Sequence, residues 1–238
     1  MTNKLKIDGA INFTASHNPP EYNGLKFTPW HGGAAPKEIT DFLQQRANEY
    51  LLKGFKVEKL DLNTAYQSGL LNYLDSDTVY RMYFDYIKEK VDLDLIGNSG
   101  IKVAITPLHG SASRYLEKLY RDLGRLDKVF YKEPLSNFGN LGRPEPDQKR
   151  LTELSKYIAQ RPYKIYGIAT DGDADRIGII DEKGNIIWGD RLLIFLSKFM
   201  LKRNPKGKVV FEVKCSKSLP EMVEKYGGVP IMWLSLIH

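Results

Sequence analysis

Two short apolar runs, residues 165–168 and 177–180, flank the segment Ala169-Thr170-Asp171-Gly172-Asp173-Ala174-Asp175-Arg176. Isoleucine-rich runs of this length, bounded by turn-forming residues, read as buried strands. The acidic segment is therefore expected at the tip of one strand, in the turn leading to the next. Its three carboxylates occupy alternate positions, and alternate side chains of an extended or turning backbone point the same way. Gly172 and Ala174 between them are small enough for a tight loop. Three carboxylates that converge repel one another. A hard divalent cation removes that cost, and Mg²⁺ takes few carboxylates while leaving positions for a phosphate oxygen. Arg176 adds a fixed positive charge suited to a phosphate. A solvated acidic turn is the alternative; the strict alternation between two strands favours the ion.

The chain before and after this loop alternates strand and helix patterns. Residues 10–13 read as a buried strand that runs into Thr14-Ala15-Ser16-His17-Asn18-Pro19-Pro20-Glu21-Tyr22-Asn23-Gly24-Leu25-Lys26, a rigid proline- and glycine-bearing loop. Ser16 sits at its apex. A serine must be activated to act as a nucleophile, and His17 and Lys26 are candidates for that or for binding phosphate; turn chemistry alone explains the same residues equally well. Residues 36–52 form an amphipathic helix whose stripe (Ile39, Phe42, Leu43, Ala47, Tyr50, Leu51) is expected in a core. Residues 56–60 are expected as a short strand, 61–74 as a linker, and 75–91 as a helix with Val79, Tyr83, Tyr86, Ile87 and Val91 inward.

From residue 101 the α/β rhythm is regular. Strands are expected at 101–106, 128–131, 165–168, 177–180, 209–213 and from 229, with helices to Leu123, to Gln160, over 191–203 with Asp190 as N-cap, and to Tyr226. Residues 181–185 read as a hairpin turn. Pro107-Leu108-His109-Gly110-Ser111 is read as a simple connection, with a backbone anion site as the alternative; His109 is either a turn residue or part of a cleft. Residues 132–147, with Arg143-Pro144-Glu145-Pro146, form a long loop of the kind that lines a site or covers a sheet edge. The alternation implies mostly parallel sheets, whose ligands bind at the carboxyl ends of strands, where the aspartates fall.

Composition narrows the function classes. No apolar run approaches the roughly 20 residues of a membrane span, and no secretory leader is expected. The single cysteine, Cys215, precludes an internal disulfide and suggests a reducing compartment. A cytoplasmic protein is expected. The net charge of +6 suits anionic substrates, but the cations are scattered and form no nucleic-acid patch.

Thr14-Ala15-Ser16-His17-Asn18-Pro19 and Asp171-Gly172-Asp173-Ala174-Asp175-Arg176, in this order, resemble the α-D-phosphohexomutase superfamily, the phosphoglucomutase/phosphomannomutase enzymes. Tyr22-Asn23-Gly24-Leu25-Lys26, Pro107-Leu108-His109-Gly110, Pro144-Glu145-Pro146, Val213-Lys214-Cys215 and residues 227–233 agree with it. The resemblance implies an α/β fold of mixed, mostly parallel sheets with flanking helices, built as several domains round a cleft. It implies that Ser16 carries the phosphoryl group and that Asp171, Asp173 and Asp175 hold Mg²⁺ together with a phosphoserine oxygen of Ser16. Arg176 would contact the phosphoserine or substrate, His17 and Lys26 would act around the transferring group, and Lys214 would face the sugar phosphate. The activity implied is that of an isomerase, an intramolecular phosphotransferase acting on hexose phosphates through a hexose 1,6-bisphosphate.

The resemblance also divides the chain. Residues 1–75 correspond to the C-terminal part of domain I with the phosphoserine loop, 76–182 to domain II with the metal loop, and 183–238 to the N-terminal part of domain III. Incomplete first and third domains and no fourth are thus expected, and an exposed sheet edge suggests a possible homo-oligomer. A truncated, non-catalytic remnant that binds Mg²⁺ and phosphosugar, or serves as an interaction module, is the alternative function.

Overall fold

In the computed structural model, residues 7–54, 56 and 58–233 are described. They group into two compact units, one comprising residues up to Ala15 with Glu21–Leu95, the other Ser16–Pro20 with the chain from Ile96 onward.

In the first unit, β1 (Gly9–Phe13) and β2 (Leu25–Pro29) form an antiparallel hairpin, with Gly9 opposite Pro29 and Phe13 opposite Leu25. The Thr14 N–H donates to the Gly24 carbonyl at 3.0 Å and closes the connection between the strands. β2 was not expected, because its polar residues hide the alternation. β1 forms where expected but is not buried: Ile11 is 59% and Phe13 73% exposed. A two-stranded ribbon has no core of its own, and no second layer covers β1 among the described residues.

The helices α1 (Lys37–Leu52), α2 (Leu62–Gln67), α3 (Ser76–Lys88) and α4 (Leu93–Asn98) follow. α1 has the expected bounds but buries none of its stripe, and Phe42 is 61% exposed. α2 replaces the expected linker; the Asp61 carboxylate accepts from the Thr64 N–H at 3.0 Å and caps it. The described residues of the strand expected at 56–60 carry no strand, and 57 lies outside the described residues. In α3 the inward stripe is rotated from the expected one. Tyr80 is buried and stacks on Phe84 at 4.6 Å, whereas Tyr83, Tyr86 and Val91 are exposed.

The second unit is organised round a five-stranded sheet in the order β4-β3-β5-β6-β7. These strands are β3 (Lys102–Thr106), β4 (Leu126–Val129), β5 (Ile165–Thr170), β6 (Ile177–Ile180) and β7 (Ile186–Ile187). β4, β3 and β5 run parallel; β6 and β7 turn back antiparallel. Between β3 and β4 lies α5 (Ser113–Asp122), and between β4 and β5 lies α6 (Gln148–Ala159). β4 ends two residues earlier than expected because Tyr131 takes a left-handed φ of 45° and leaves the sheet.

α6 supplies the core stripe Leu151, Leu154 and Ile158, spaced for one helix face, against Ala104, Ile165, Ala169 and Ile180 of the sheet. The helix comes close because Gly167 of β5 has no side chain: a Cβ there would lie 2.8 Å from Ile158 Cδ1. Thr106 pairs with Ala169, so the carboxyl ends of β3 and β5 are adjacent and their outgoing loops meet.

The chain continues through α7 (Gly189–Arg203), β8 (Lys208–Glu212), α8 (Ser218–Lys225) and β9 (Val229–Trp233). β8 and β9 pair in parallel, and Leu201, Leu219 and Val223 form a second small core. Asp190 does not cap α7 from the N-cap position: the helix starts at Gly189 after Trp188, and the Asp190 carboxylate instead accepts from the Arg191 N–H. The fold is a mixed α/β one, and no helix is long and apolar enough to cross a membrane among the described residues.

Candidate functional site

The aspartate loop leaves β5 at its buried carboxyl end. Asp171 is fully buried, Asp173 half-buried and Asp175 exposed. The turn is tightened by Ala174, whose φ is 65° and whose N–H donates to the Asp171 carbonyl at 3.2 Å. One carboxylate oxygen from each of Asp171, Asp173 and Asp175 lies within 4.8 Å of the others. The alternation in sequence thus becomes convergence in space.

Asp171 Oδ1 accepts the Arg176 N–H at 3.1 Å. Its Oδ2 is buried without a hydrogen bond, with Arg176 Nε 4.0 Å away. Burial pushes the Asp171 carboxyl above the usual carboxylate range; the Arg176 backbone N–H opposes this, and the charges of Asp173 and Asp175 reinforce it. A buried carboxylate oxygen without a donor, aimed with two further carboxylates at one point, fits a hard divalent cation. Such an ion would satisfy the oxygen and lower the carboxyl toward its ordinary range.

Three other loops meet this one at Gly172. A Cβ on Gly172 would lie 2.7 Å from the Ser16 carbonyl oxygen and 2.8 Å from Pro144 Cγ. The Gly172 carbonyl accepts the Ser111 N–H at 2.9 Å, and a Cβ on Gly110 would lie 2.6 Å from that carbonyl oxygen. The Pro107–Ser111 stretch is therefore a connection, as read, but also a brace for the aspartates. Leu108 and His109 hold left-handed φ values of 49° and 60° beside the loop. His109 Nδ1 is 2.6 Å from the Glu133 carbonyl oxygen, which fixes the ring against the long 132–147 loop.

The Ser16 main chain reaches the aspartate loop at Gly172, and residues Ser16–Pro20 group with that loop's unit. Ser16 is half-buried in a left-handed conformation, φ 58°, and its Oγ is 3.4 Å from His17 Nδ1. Arg176 bridges two carboxylates: its Nη1 pairs with Glu145 at 2.8 Å, while its Nε lies 4.0 Å from Asp171 Oδ2. Lys26 is exposed on β2 of the first unit. Lys214 is exposed in the turn after β8, and no hydrogen bond or ion pair joins it to the aspartate loop among the described residues. Sequence reasoning marked the loops of Ser111, Pro144 and Glu145 but gave these three residues no role; only the fold shows what they touch.

The comparisons with known proteins follow the same loops. Residues 81–184 match the model of phosphoglucomutase/phosphomannomutase alpha/beta/alpha domain II, and residues 1–53 match that of domain I. The chain belongs to the α-D-phosphohexomutase superfamily. It is 32% identical over 232 residues to a phosphomannomutase/phosphoglucomutase of Pseudomonas aeruginosa, covering 97% of this chain and 45% of the relative. To a phosphoglucomutase of Neisseria gonorrhoeae it is 34% identical, with 93% of the chain and 44% of the relative covered. Among solved structures, a phosphoglucomutase/phosphomannomutase family protein from Burkholderia thailandensis superposes with a TM-score of 0.73 at 26% identity, over 96% of this chain and 45% of that one. The chain spans somewhat less than half the length of the curated relatives it matches.

Proposed function

We propose that this chain carries the phosphoryl-transfer centre of a phosphohexomutase, an isomerase that moves a phosphoryl group between O1 and O6 of a hexose. The observation that supports this most is the meeting of two loops: the Ser16 carbonyl packs on Gly172, between the first two of three converging carboxylates. Ser16 takes the role of phosphoryl carrier. Asp171, Asp173 and Asp175, with a Ser16 phosphoryl oxygen, would hold Mg²⁺, which neutralises the charge on the transferring group when bound.

The chain's own residues have distinct tasks in this reading. His17 lies at the Ser16 oxygen and is placed to hold or move its proton. Arg176 offers a planar guanidinium to the phosphoryl oxygens. Lys26 takes part in proton transfer, and Lys214 binds the sugar phosphate. The substrates are hexose phosphates and a hexose 1,6-bisphosphate, in the cytoplasm. The three-domain division at residues 75 and 182 belongs to the same reading.

The test is intact mass after incubation with glucose 1,6-bisphosphate and Mg²⁺. Gain of one phosphoryl group, lost in Ser16→Ala and in Asp173→Ala, is expected. A folded chain that gains none would favour the second reading, a remnant that binds Mg²⁺ and phosphosugar without turnover.

A further inference from the structure

Arg176 stands beside three carboxylates with which it can neutralise the very charge a cation needs. Its Nε is only 4.0 Å from Asp171 Oδ2, and Asp175 is the residue before it. That separation is too long for a hydrogen bond, and the other end of the guanidinium is taken by Glu145, whose Oε1 accepts from Arg176 Nη1 at 2.8 Å. Both partners are partly exposed, at 43% and 32% of the side chain, so the pair adds little to stability. What it fixes is where the guanidinium lies.

Glu145 is itself fixed. It stands between Pro144 and Pro146, two residues with constrained φ. Pro144 abuts Gly172 of the aspartate loop, and Pro146 abuts Gly178 of β6: a Cβ on either glycine would fall 2.8 Å and 2.9 Å from the respective proline. The carboxylate is thus mounted on a short strut that leans on both sides of the loop whose arginine it holds. A strut of this kind costs no ordering when the site is loaded.

We infer that Glu145 is a positioning residue that holds Arg176 short of a hydrogen bond to Asp171 Oδ2, leaving that oxygen to a divalent cation. This rests on the metal reading of the Asp171–Asp173–Asp175 cluster but not on turnover. With Glu145 neutralised, Arg176 closes onto Asp171 and Asp175 and competes with the cation.

The test is a double-mutant cycle read by Mn²⁺ titration with electron paramagnetic resonance, on the whole chain and without substrate. Glu145→Gln is expected to weaken Mn²⁺ binding roughly three- to tenfold, the effect of one charge moved a few ångströms in a high-dielectric site. In the Arg176→Gln background, the same Glu145→Gln change is expected to have no effect, because the competitor is gone. Glu145→Asp should recover part of the loss. A loss that persists undiminished in the Arg176→Gln background would overturn the inference, since Glu145 would then act on the ion directly. So would an unchanged affinity in Glu145→Gln with an unchanged melting temperature. If the wild-type chain binds no Mn²⁺ at all, the metal reading itself falls and takes the inference with it, an outcome distinct from the other two.

Discussion

The main-chain N–H of Ser111 donates to the carbonyl of Gly172 at 2.9 Å, tying the loop after β3 to the loop after β5. The bond exists because Thr106 and Ala169 are paired neighbours at the strand ends, and because Gly110 leaves room for the Gly172 backbone. Gly110→Ala would set a Cβ 2.6 Å from the Gly172 carbonyl oxygen, backbone against backbone. The loops must then part, at an expected cost of about 1–3 kcal/mol. Thermal melts should show this loss, and Mn²⁺ titration should show weaker binding, because the loop that moves carries Asp171 and Asp173.

Gly172→Ala should separate folding from function. Its Cβ would meet the Ser16 carbonyl at 2.7 Å and Pro144 Cγ at 2.8 Å. Of the two neighbours, the Ser16 loop is only partly buried and can give way while the buried Pro144 stays, so stability should fall less than in Gly110→Ala. The Ser16 loop should be displaced, and phosphoryl gain from glucose 1,6-bisphosphate should drop at least about tenfold. Intact-mass time courses, run beside melting curves, check both halves.

Asp171 should cost the cation-free protein stability. Its carboxyl is pushed up in the folded state, mainly by burial. The folded protein therefore holds this proton more tightly than the unfolded chain. The associated stability is fully present below the ordinary carboxylate range and is lost as pH rises through the folded value. Asp171→Asn is expected to raise the melting temperature in chelator near neutral pH and to flatten the pH slope. With saturating Mg²⁺ the order should reverse, because the wild type alone gains binding energy. Melts across roughly pH 4 to 7, with and without the ion, measure it.

Alkaline stability should depend on Tyr157. Its hydroxyl donates to Asp127 at 2.7 Å, and burial, followed by that bond, pushes it up to about 12. The folded state again favours the protonated form. The stabilisation is complete below the ordinary tyrosine value near 10 and is lost as pH rises through about 12. Tyr157→Phe should remove about 1 kcal/mol below that window and give a shallower alkaline limb in denaturant titrations.

Gly167→Ala should overpack the main core. The new methyl would lie 2.8 Å from Ile158 Cδ1 and 2.9 Å from Ile180 Cβ. A loss of about 1–3 kcal/mol is expected. Ile158→Val deletes the first of those contacts and should partly rescue the alanine variant, although alone it costs about 1 kcal/mol. Denaturant midpoints for the two single variants and the double variant settle the coupling.

The second unit could be read almost strand by strand because its elements carry the periodicity that burial imposes. Ile165, Ala169, Ile180, Leu151 and Ile158 are apolar where they are inside. The aspartate cluster could be read for a related reason: alternation in a turn leaves little freedom over where three side chains point. The first unit was harder. Its α1 stripe has the periodicity of a core helix, yet Phe42 and Leu51 are exposed, since periodicity tells which face is apolar and not what covers it. β2 and α2 are polar, and pairing and capping decide them. Glu145 was invisible as a single residue, since its partner is 31 positions away in sequence and is chosen by how two loops lean together.

The central claim is that Ser16 and the three aspartates address one ion. The most direct measurement is the ³¹P resonance of the chain with phosphoserine installed at position 16 during translation, recorded as Mn²⁺ is added. Broadening of that signal beyond detection at substoichiometric Mn²⁺, abolished in Asp173→Ala and leaving free phosphoserine in the same tube sharp, is the predicted result. A phosphoserine line that stays sharp while Mn²⁺ is demonstrably bound by the aspartates would place the two loops at separate sites and contradict the account.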